Sequence, residues 1–439
     1  MKKWIYAFVL ASTLVGCNDR NEETTSKAKE EKSSPKTEVI FWHAMSGDLE
    51  KALNEIVNDF NASQKDIEVK PVFQGTYEEA LTKFNAVAGT KDSPTIMQTF
   101  EIGTKYMIES GKIEPIQTFI DQEGYDVSQW EKNIVNYYTV NGKIYSMPFN
   151  SSTPVLIYNK DAFKEVGLDS EKPPTTYSEL KEAAKLLTKE GRYGFSILNY
   201  GWFFEQMVAV QGGLYVNEEN GRKGEATSVK FNGEEGLRVF QLIYDMYKEG
   251  IFYNVGQNWD EMRAAFQSGK IAMYLDSSAG VRTIVDNAPF EVGVSYLPVP
   301  DGVERQGVVI GGASLWLMKD VGDEKKKAAW KFMKYVTTPE VQAKWHVNTG
   351  YFAINPAAYE LPLVKEQWRK YPQLQVAVNQ LKETKPTPAT QGAFISVFPQ
   401  ARQRIVHAME SLYQGVDPKK ALEQAANEVN RELEIANKR

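Results

Sequence analysis

Apolar positions along the chain change period repeatedly, and each change marks an element. The short apolar run Glu38–Trp42 reads as a strand, and Leu49, Leu53, Ile56, Val57 and Phe60 behind it fall on one stripe of a helix. Ile67–Phe73 reads as a second strand. Thr76-Tyr77-Glu78-Glu79 then has the spacing of a capping box and opens a helix through Leu81 and Phe84. Thr95–Thr99 is a third strand. Further along, Thr176 with Glu179 and Asn232 with Glu235 are expected to cap new helices. Met262–Ser268 closes a helix at Gly269, and Lys270–Leu275 returns to strand. Thr338-Pro339, Asn355-Pro356 and Asp417-Pro418 each set a cap residue before proline at the first helical position. This alternation implies α/β lobes with parallel-rich sheets. No internal repeat is visible.

The first residues follow another plan. Lys2 and Lys3 precede an apolar run from Trp4 to Gly16 that is too short to span a bilayer, which is the layout of a signal peptide over residues 1–16. The run ends in Leu14-Val15-Gly16-Cys17, which resembles the bacterial lipobox. That resemblance implies acylation of Cys17 and a mature chain that begins there. Cys17 is the only cysteine, so a disulfide has no second thiol, whereas a lipid anchor needs one. Residues 18–36 are rich in Asp, Glu, Lys, Ser and Thr, with Ala28 and Pro35 the only aliphatic side chains. So little apolar surface does not offset the entropy of ordering, and residues 17–37 read as a lipidated N-terminus and flexible tether. No later segment is long and apolar enough to cross a membrane.

The remaining body, roughly 400 residues, exceeds one ordinary core, and two lobes is the natural division. Its composition, 42% hydrophobic and 25% charged, is that of a globular protein. The formal charge of −6 grows more negative once Lys2 and Lys3 leave, which excludes a basic nucleic-acid footprint. Aromatic residues are plentiful, with 9 Trp, 22 Tyr and 21 Phe, a surplus that suits stacking on a ligand.

Signatures of catalysis do not emerge. His43, His346 and His407 are far apart and, without a second cysteine, leave a metal site short of ordinary ligands. Neither a Gly-x-Ser-x-Gly elbow nor a phosphate loop is present, and Gly311-Gly312 does not extend into a dinucleotide fingerprint. The expectation is therefore a binding protein with no metal, no cofactor and no enzymatic activity. A carboxylate-dependent glycosidase stays open, because 57 acids leave many pairs to choose from.

Several strings carry a resemblance. Ala265-Phe266-Gln267-Ser268-Gly269-Lys270-Ile271-Ala272-Met273 resembles a motif of extracellular solute-binding proteins of ABC importers, in the maltose-binding-protein-like class. Phe41-Trp42-His43, the run from Pro148 to Leu156, and the run from Tyr158 to Phe163 follow in order. The run from Ile310 to Trp316, and Trp345-His346 with Thr349-Gly350-Tyr351, complete the set. Together, from about Val39 to the final helix, they resemble the glycerol-3-phosphate-binding proteins of glycerophosphate importers.

The resemblance implies an α/β, two-lobed periplasmic-binding-protein fold, with a ligand cleft between the lobes and three crossings near Asn150, Gly311 and Asn355. The N-terminal lobe would comprise residues 38–150 and 311–355, and the C-terminal lobe residues 151–310 and 356–439. Tyr77, Glu101, Ser152, Trp202, Ser277, Gly312, Tyr351 and Arg402 match family ligand contacts. Glu101 would accept from glycerol hydroxyls, Ser152, Ser277 and the Gly312 amide would hold the polar head, Trp202 would form an aromatic wall, and Arg402 would reach phosphate. Taken singly, Tyr77 reads rather as a surface tyrosine, Glu101 as a solvated acid, and Arg402 as a helix-surface charge two turns from Glu410; taken together, with every position matching, the ligand reading prevails. Trp42, Trp316 and Trp330 read as core. The partners implied are a small polar solute (glycerophosphate, glycerophosphodiester or sugar), importer permease subunits, and the outer face of the cytoplasmic membrane through lipid on Cys17. The chain would act as a monomer.

Two departures from the family pattern bear on the ligand. Asn199-Tyr200-Gly201-Trp202 stands where the family often has Trp-x-x-Trp, so one wall is lost or Tyr200 replaces it. Asp276 precedes Ser277 where a small apolar residue is usual, and a carboxylate beside a phosphate dianion is repulsive in a closed cleft. Both favour a zwitterionic glycerophosphodiester such as glycerophosphocholine over glycerol-3-phosphate, with a neutral sugar as the alternative.

Overall fold

A computed structural model describes residues 35–438. The signal peptide, Cys17 and most of the tether lie outside the described residues. In chain order, β1 (Thr37–His43), β2 (Ile67–Phe73), β3 (Ile96–Phe100), β4 (Ile113–Glu114) and β5 (Met147–Ser152) build the first of two principal sheets. The chain then forms the second sheet with β6 (Pro154–Asn159), β7 (Tyr193–Ile197), β8 (Ile271–Ser277) and β9 (Val292–Ser295), and returns to the first with β10 (Gly311–Met318). The first sheet runs β2-β1-β3-β10-β4, with β5 paired to β10 off this path, and the second runs β9-β6-β8-β7. Each sheet is the centre of one lobe.

Alternation decides β1: Val39, Phe41 and His43 point to the core and the residues between them are half-buried. β3, β5, β6 and β8 are buried at every position, because helices cover both faces of their sheets. The helices that position the site are α1 (Gly47–Ser63), α2 (Tyr77–Val87), α3 (Tyr177–Leu187), α4 (Gly201–Ala209), α5 (Glu234–Lys248), α6 (Trp259–Gln267), α7 (Pro339–Thr349), α8 (Phe398–Tyr413) and α9 (Pro418–Ala436). The capping boxes of α2, Thr76 with Glu79, and of α3, Thr176 with Glu179, form as the sequence predicts. Asp417 caps α9 by accepting from the Lys420 amide, and Asn355 caps a short 3-10 helix by accepting from Ala357.

Four expectations need correction. The strand expected from Glu38 begins at Thr37, which pairs with Ile67. The sheets are mixed rather than parallel-rich: β1 is parallel to β2 and β3, and β8 to β7, but β10 is antiparallel to β3, β4 and β5, and β6 is antiparallel to β8 and β9. In the first sheet β10 alone runs against its neighbours β3, β4 and β5, and in the second β6 runs against β8 and β9. Asn232 is not a cap; Gly233 takes that place on α5, with no side-chain cap bond. Thr338 does stand at the N-cap of α7, but its side chain makes no cap bond. Trp316 and Trp330 are core as expected, while Trp42 is only partly buried against it.

The crossings gather at one place. Thr153 alone separates β5 in the first sheet from β6 in the second. The start of β10 lies against the end of β5, Gly311 opposite Ser152 and Gly312 opposite Ser151. The segment after α7 joins them through the Phe352 amide, which donates to the Ser151 carbonyl at 2.9 Å. Among the described residues no helix is long and apolar enough to cross a membrane.

Candidate functional site

Asn150, at the crossing, is the hub of a polar relay. Its Nδ2 donates to the Tyr77 hydroxyl at 3.0 Å, its Oδ1 accepts from Gln98 Nε2 at 2.8 Å, and Gln98 Oε1 accepts from the Ala44 amide at 2.9 Å. The Tyr77 ring stacks on Phe100 with centroids 5.4 Å apart. Tyr351 lies parallel to Trp345 at 5.5 Å, and its phenol is close enough to Asn150 and Tyr77 for both to lower a pKa that burial raises. His346 fixes that segment: Nε2 accepts from Trp368 Nε1 at 2.9 Å, which leaves the proton on Nδ1 to donate to the Tyr351 carbonyl at 2.6 Å. Burial holds this imidazole neutral, with its pKa lowered to about 4.

Close approach explains the two glycines. Gly312 has φ +89, and a Cβ there would lie 1.8 Å from the Asn150 carbonyl oxygen. At Gly311 a Cβ would meet the Trp202 ring at 2.6 Å, so the indole lies flush against the crossing. Ser151 Oγ, Thr153 Oγ1, Trp202 Nε1 and Arg402 Nε are buried without a partner among the described residues, as are atoms elsewhere in the core such as Trp316 Nε1 and Trp330 Nε1. The two hydroxyls and the guanidinium nitrogen among those at the crossing are groups that a hydroxylated or anionic ligand can satisfy.

Arg402 projects from α8 into a buried ion cluster. Its Nη2 donates to Glu101 at 2.5 Å and to Glu205 at 2.6 Å, and all three residues are buried. Glu101 follows β3 in the first sheet, whereas Glu205 and Arg402 sit on α4 and α8, which pack together. Desolvation pushes Glu101 up to about 7, opposed by the Arg402 charge and reinforced by Glu205. Glu205 is raised as well, again by burial first, with Arg402 opposing. Gly201 permits the packing, because a Cβ there would lie 2.8 Å from the Arg402 carbonyl oxygen.

Asp276 belongs to a second cluster, and the repulsion expected from it is corrected. Arg263 Nε and Nη2 donate to its two carboxylate oxygens at 3.0 Å each, Tyr274 donates at 2.8 Å, and the Ser277 amide at 2.6 Å. A carboxylate so paired presents no free charge to a ligand. Arg263 lies over the Trp259 ring at 5.4 Å, and Tyr200 packs edge-on against that same ring at 5.6 Å. Tyr200 thus packs as an aromatic pair with Trp259, and Asn199 is buried.

Of the eight residues expected in the site, Glu101 and Arg402 are in direct contact, and Tyr77 and Tyr351 share Asn150. Ser152, Gly312 and Trp202 meet at the crossing. Ser277 ends β8 opposite Pro154, with its hydroxyl accepting from the Ala279 amide at 3.2 Å. The surface reading of Arg402 fails, and Glu410 accepts from Gln257 instead. Glu205, Arg263, Trp259, Asn150 and Gln98 were not anticipated. Glu205 had a signal: it is the one charge within Trp202–Ala209, a helix otherwise apolar except for Gln206. Trp259 and Arg263 also had one, being four residues apart on one helix face. Among the described residues no group of three or more His, Cys, Asp or Glu is placed to hold a metal ion.

Known proteins share this architecture. Residues 55–376 match the family model of bacterial extracellular solute-binding proteins. The chain is 36% identical over 414 residues to the sn-glycerol-3-phosphate-binding periplasmic protein UgpB of Salmonella typhimurium, covering 92% of this chain and 94% of that one. Its identity to the protein of the same name from Pectobacterium atrosepticum is 35% over 403 residues, 90% of each. Among solved structures, UgpB of Mycobacterium tuberculosis in complex with glycerophosphocholine superposes with a TM-score of 0.80 at 22% identity, covering 92% of this chain and 100% of that one. Maltose-bound MalE3 of T. maritima gives 0.75 at 21% identity, covering 91% and 100%. Two sheets joined at a triple crossing, a polar site at that crossing, and identity sustained over nearly the whole body make the chain a member of the bacterial extracellular solute-binding proteins.

Proposed function

We propose that this protein captures a glycerol phosphate ester outside the cell and passes it to the permease of an ABC importer, without chemical turnover. The ligand class is glycerol-3-phosphate or, preferentially, a glycerophosphodiester such as glycerophosphocholine. The observation that carries this reading is the buried meeting of Glu101 with Arg402 beside Tyr77, Tyr351 and the Ser151–Ser152 crossing. Acids and phenols there can accept from glycerol hydroxyls, while guanidinium, serine hydroxyls and the Gly312 amide can donate to phosphate. The names of the relatives at 35–36% identity support the same class. The lobes are taken as residues 38–150 with 311–355, and 151–310 with 356–439. Tyr77, Glu101, Ser152, Trp202, Ser277, Gly312, Tyr351 and Arg402 line the cleft between them.

The preference for a diester has a new basis. With Asp276 neutralised by Arg263, the excess negative charge sits on Glu101 and Glu205, which share one arginine. A dianion is penalised there more than a zwitterion. Calorimetric titration of the mature protein with glycerol-3-phosphate, glycerophosphocholine and maltose, followed by product analysis, tests the proposal. Binding of the phosphate esters without product is expected; binding of maltose alone, or sustained release of glycerophosphate or reducing sugar, overturns it. The anchor is proposed at Cys17: labelled fatty acid should enter the protein, and label that persists in Cys17→Ser removes that assignment.

A further inference from the structure

Arg263 differs from Arg402 in how its donors are used. Arg402 lies between two carboxylates that claim the same nitrogen. Arg263 faces one carboxylate, which engages Nε and Nη2 only, and its Nη1 has no partner among the described residues. The pair is also asymmetric in depth: the Asp276 side chain is 0% exposed and that of Arg263 is 22% exposed, so the cationic end is the accessible one. Trp259 supports the guanidinium plane from one side. Space for it is made by Gly280, where a Cβ would lie 2.7 Å from Arg263 Nη2 and 2.8 Å from Asp276 Oδ2. The backbone of Gly280, at φ −88, does not itself call for glycine, so the missing side chain serves the ion pair.

The neighbours are those an anion needs. Ser277 follows Asp276, and its hydroxyl oxygen already accepts from Ala279, so its proton is left to donate outward. The Ser278 amide donates to the Thr153 carbonyl at 2.9 Å, and a Cβ on Gly350 would lie 2.3 Å from the Ser278 carbonyl oxygen, so Ser277 and Tyr351 both stand beside the crossing. Glu101 and Tyr77 supply the acceptors of the proposed site, and Arg263 with Ser277 supplies donors.

Resting on the glycerol phosphate reading above, we infer that Arg263 sets the anion specificity of the cleft: clamped by Asp276, it turns its Nη1 edge and the adjacent Ser277 hydroxyl to the ligand's phosphate. Arg402, whose Nη2 is taken by Glu101 and Glu205, holds Glu101 against the glycerol hydroxyls and keeps its Nε to donate to the ligand as well. In this arrangement Asp276 is the residue that orients the phosphate donor, because it fixes the guanidinium fork by two parallel bonds and leaves one edge free.

The test uses the mature protein and the double variant Arg263→Gln, Asp276→Asn, which removes both charges and strands no buried ion. Dissociation constants for glycerol-3-phosphate and glycerophosphocholine are measured at low and high salt. Loss of one charge-assisted contact should weaken both esters by roughly 10- to 100-fold and should flatten the salt dependence that the unaltered protein shows. Arg263→Lys, which keeps a counter-ion for Asp276 and so preserves the fold, should recover only part of the affinity. Unchanged affinity and salt dependence in either variant overturns the inference and leaves Arg263 as the counter-ion of Asp276. Failure of the unaltered protein to bind either ester removes the ligand class itself, an outcome seen before any variant is made.

Discussion

Arg402 is held on Nη2 by Glu101 and Glu205, and this governs what its removal does. Arg402→Ala leaves two buried carboxylates without a counter-charge, a change that costs about 3–5 kcal/mol in comparable sites. Thermal unfolding should move down accordingly, and ligand affinity should fall by about one to two powers of ten. A surface arginine would alter neither quantity. The titration of Glu101 gives a second test. In the fold its carboxyl keeps a proton up to about pH 7, whereas the ordinary value is 4.5. The stability this lends is fully present below about pH 4.5 and is lost as the pH rises through about 7. Around Glu101 stand Arg402, Glu205 and the phenols of Tyr77, Tyr137, Tyr138, Tyr200 and Tyr351. The buried His43 and His346, both lowered to about 4, act oppositely and lose stability as pH falls below their ordinary 6.5. The readable quantity is therefore the difference between the unaltered protein and Glu101→Gln. That difference should favour the unaltered protein least above pH 7, and a difference constant with pH would show that Glu101 titrates in the fold as it does in the unfolded chain. At this scale the sequence identifies side chains but not their partners. Arg402 lies 301 positions from Glu101 and 197 from Glu205, and no local pattern announces such a meeting.

Elements were more legible where their signals are local. The capping boxes at Thr76 and Thr176 form because Thr and Glu three positions apart satisfy each other's end of the turn, whatever the rest of the chain does. Asn232 with Glu235 has the same spacing, yet Gly233 becomes the N-cap of α5, with a Cβ there 3.3 Å from the Lys230 carbonyl oxygen. Strand direction was less legible still, because it depends on the crossings and not on the periodicity of any strand. β10 shows the consequence. It begins with Gly311-Gly312, and the register with β5 shifts at a bulge between Ala313 and Ser314. Gly312→Ala must accommodate a Cβ 1.8 Å from the Asn150 carbonyl oxygen at a φ of +89. More than about 1 kcal/mol of destabilisation is expected from the backbone conformation alone. Displacement of Asn150 should also break its bond to Tyr77 and weaken ligand binding. An alanine variant with full stability and full affinity would show that the two crossing segments move independently.

At the scale of the whole molecule the proposed site carries a charge imbalance. Two arginines, Arg263 and Arg402, face three buried acids, Asp276, Glu101 and Glu205. A phosphate monoester brings close to two negative charges at neutral pH, whereas glycerophosphocholine brings one negative and one positive. In the proposed closed state water is excluded and these charges interact more strongly, so the monoester must either lower the charge of the cleft or bind weakly. Glu101, with its pKa near 7, can lower that charge by taking up a proton. Ligand present at about 100 times its dissociation constant adds roughly 2.7 kcal/mol to the folded state, which makes melting temperature a sensitive comparison. Above pH 7 the diester should raise the melting temperature more than the monoester at equal concentration. Below pH 7 the gap should narrow, both because Glu101 is protonated and because the monoester itself loses charge near a second pKa of about 6. Glu101→Gln separates these causes, since it removes the acid at every pH: in that variant the gap should already be narrow above pH 7. A monoester that stabilises the unaltered protein more than the diester above pH 7 would discard the diester preference, and with it the view that the Glu101–Arg402–Glu205 cluster selects the charge of the ligand.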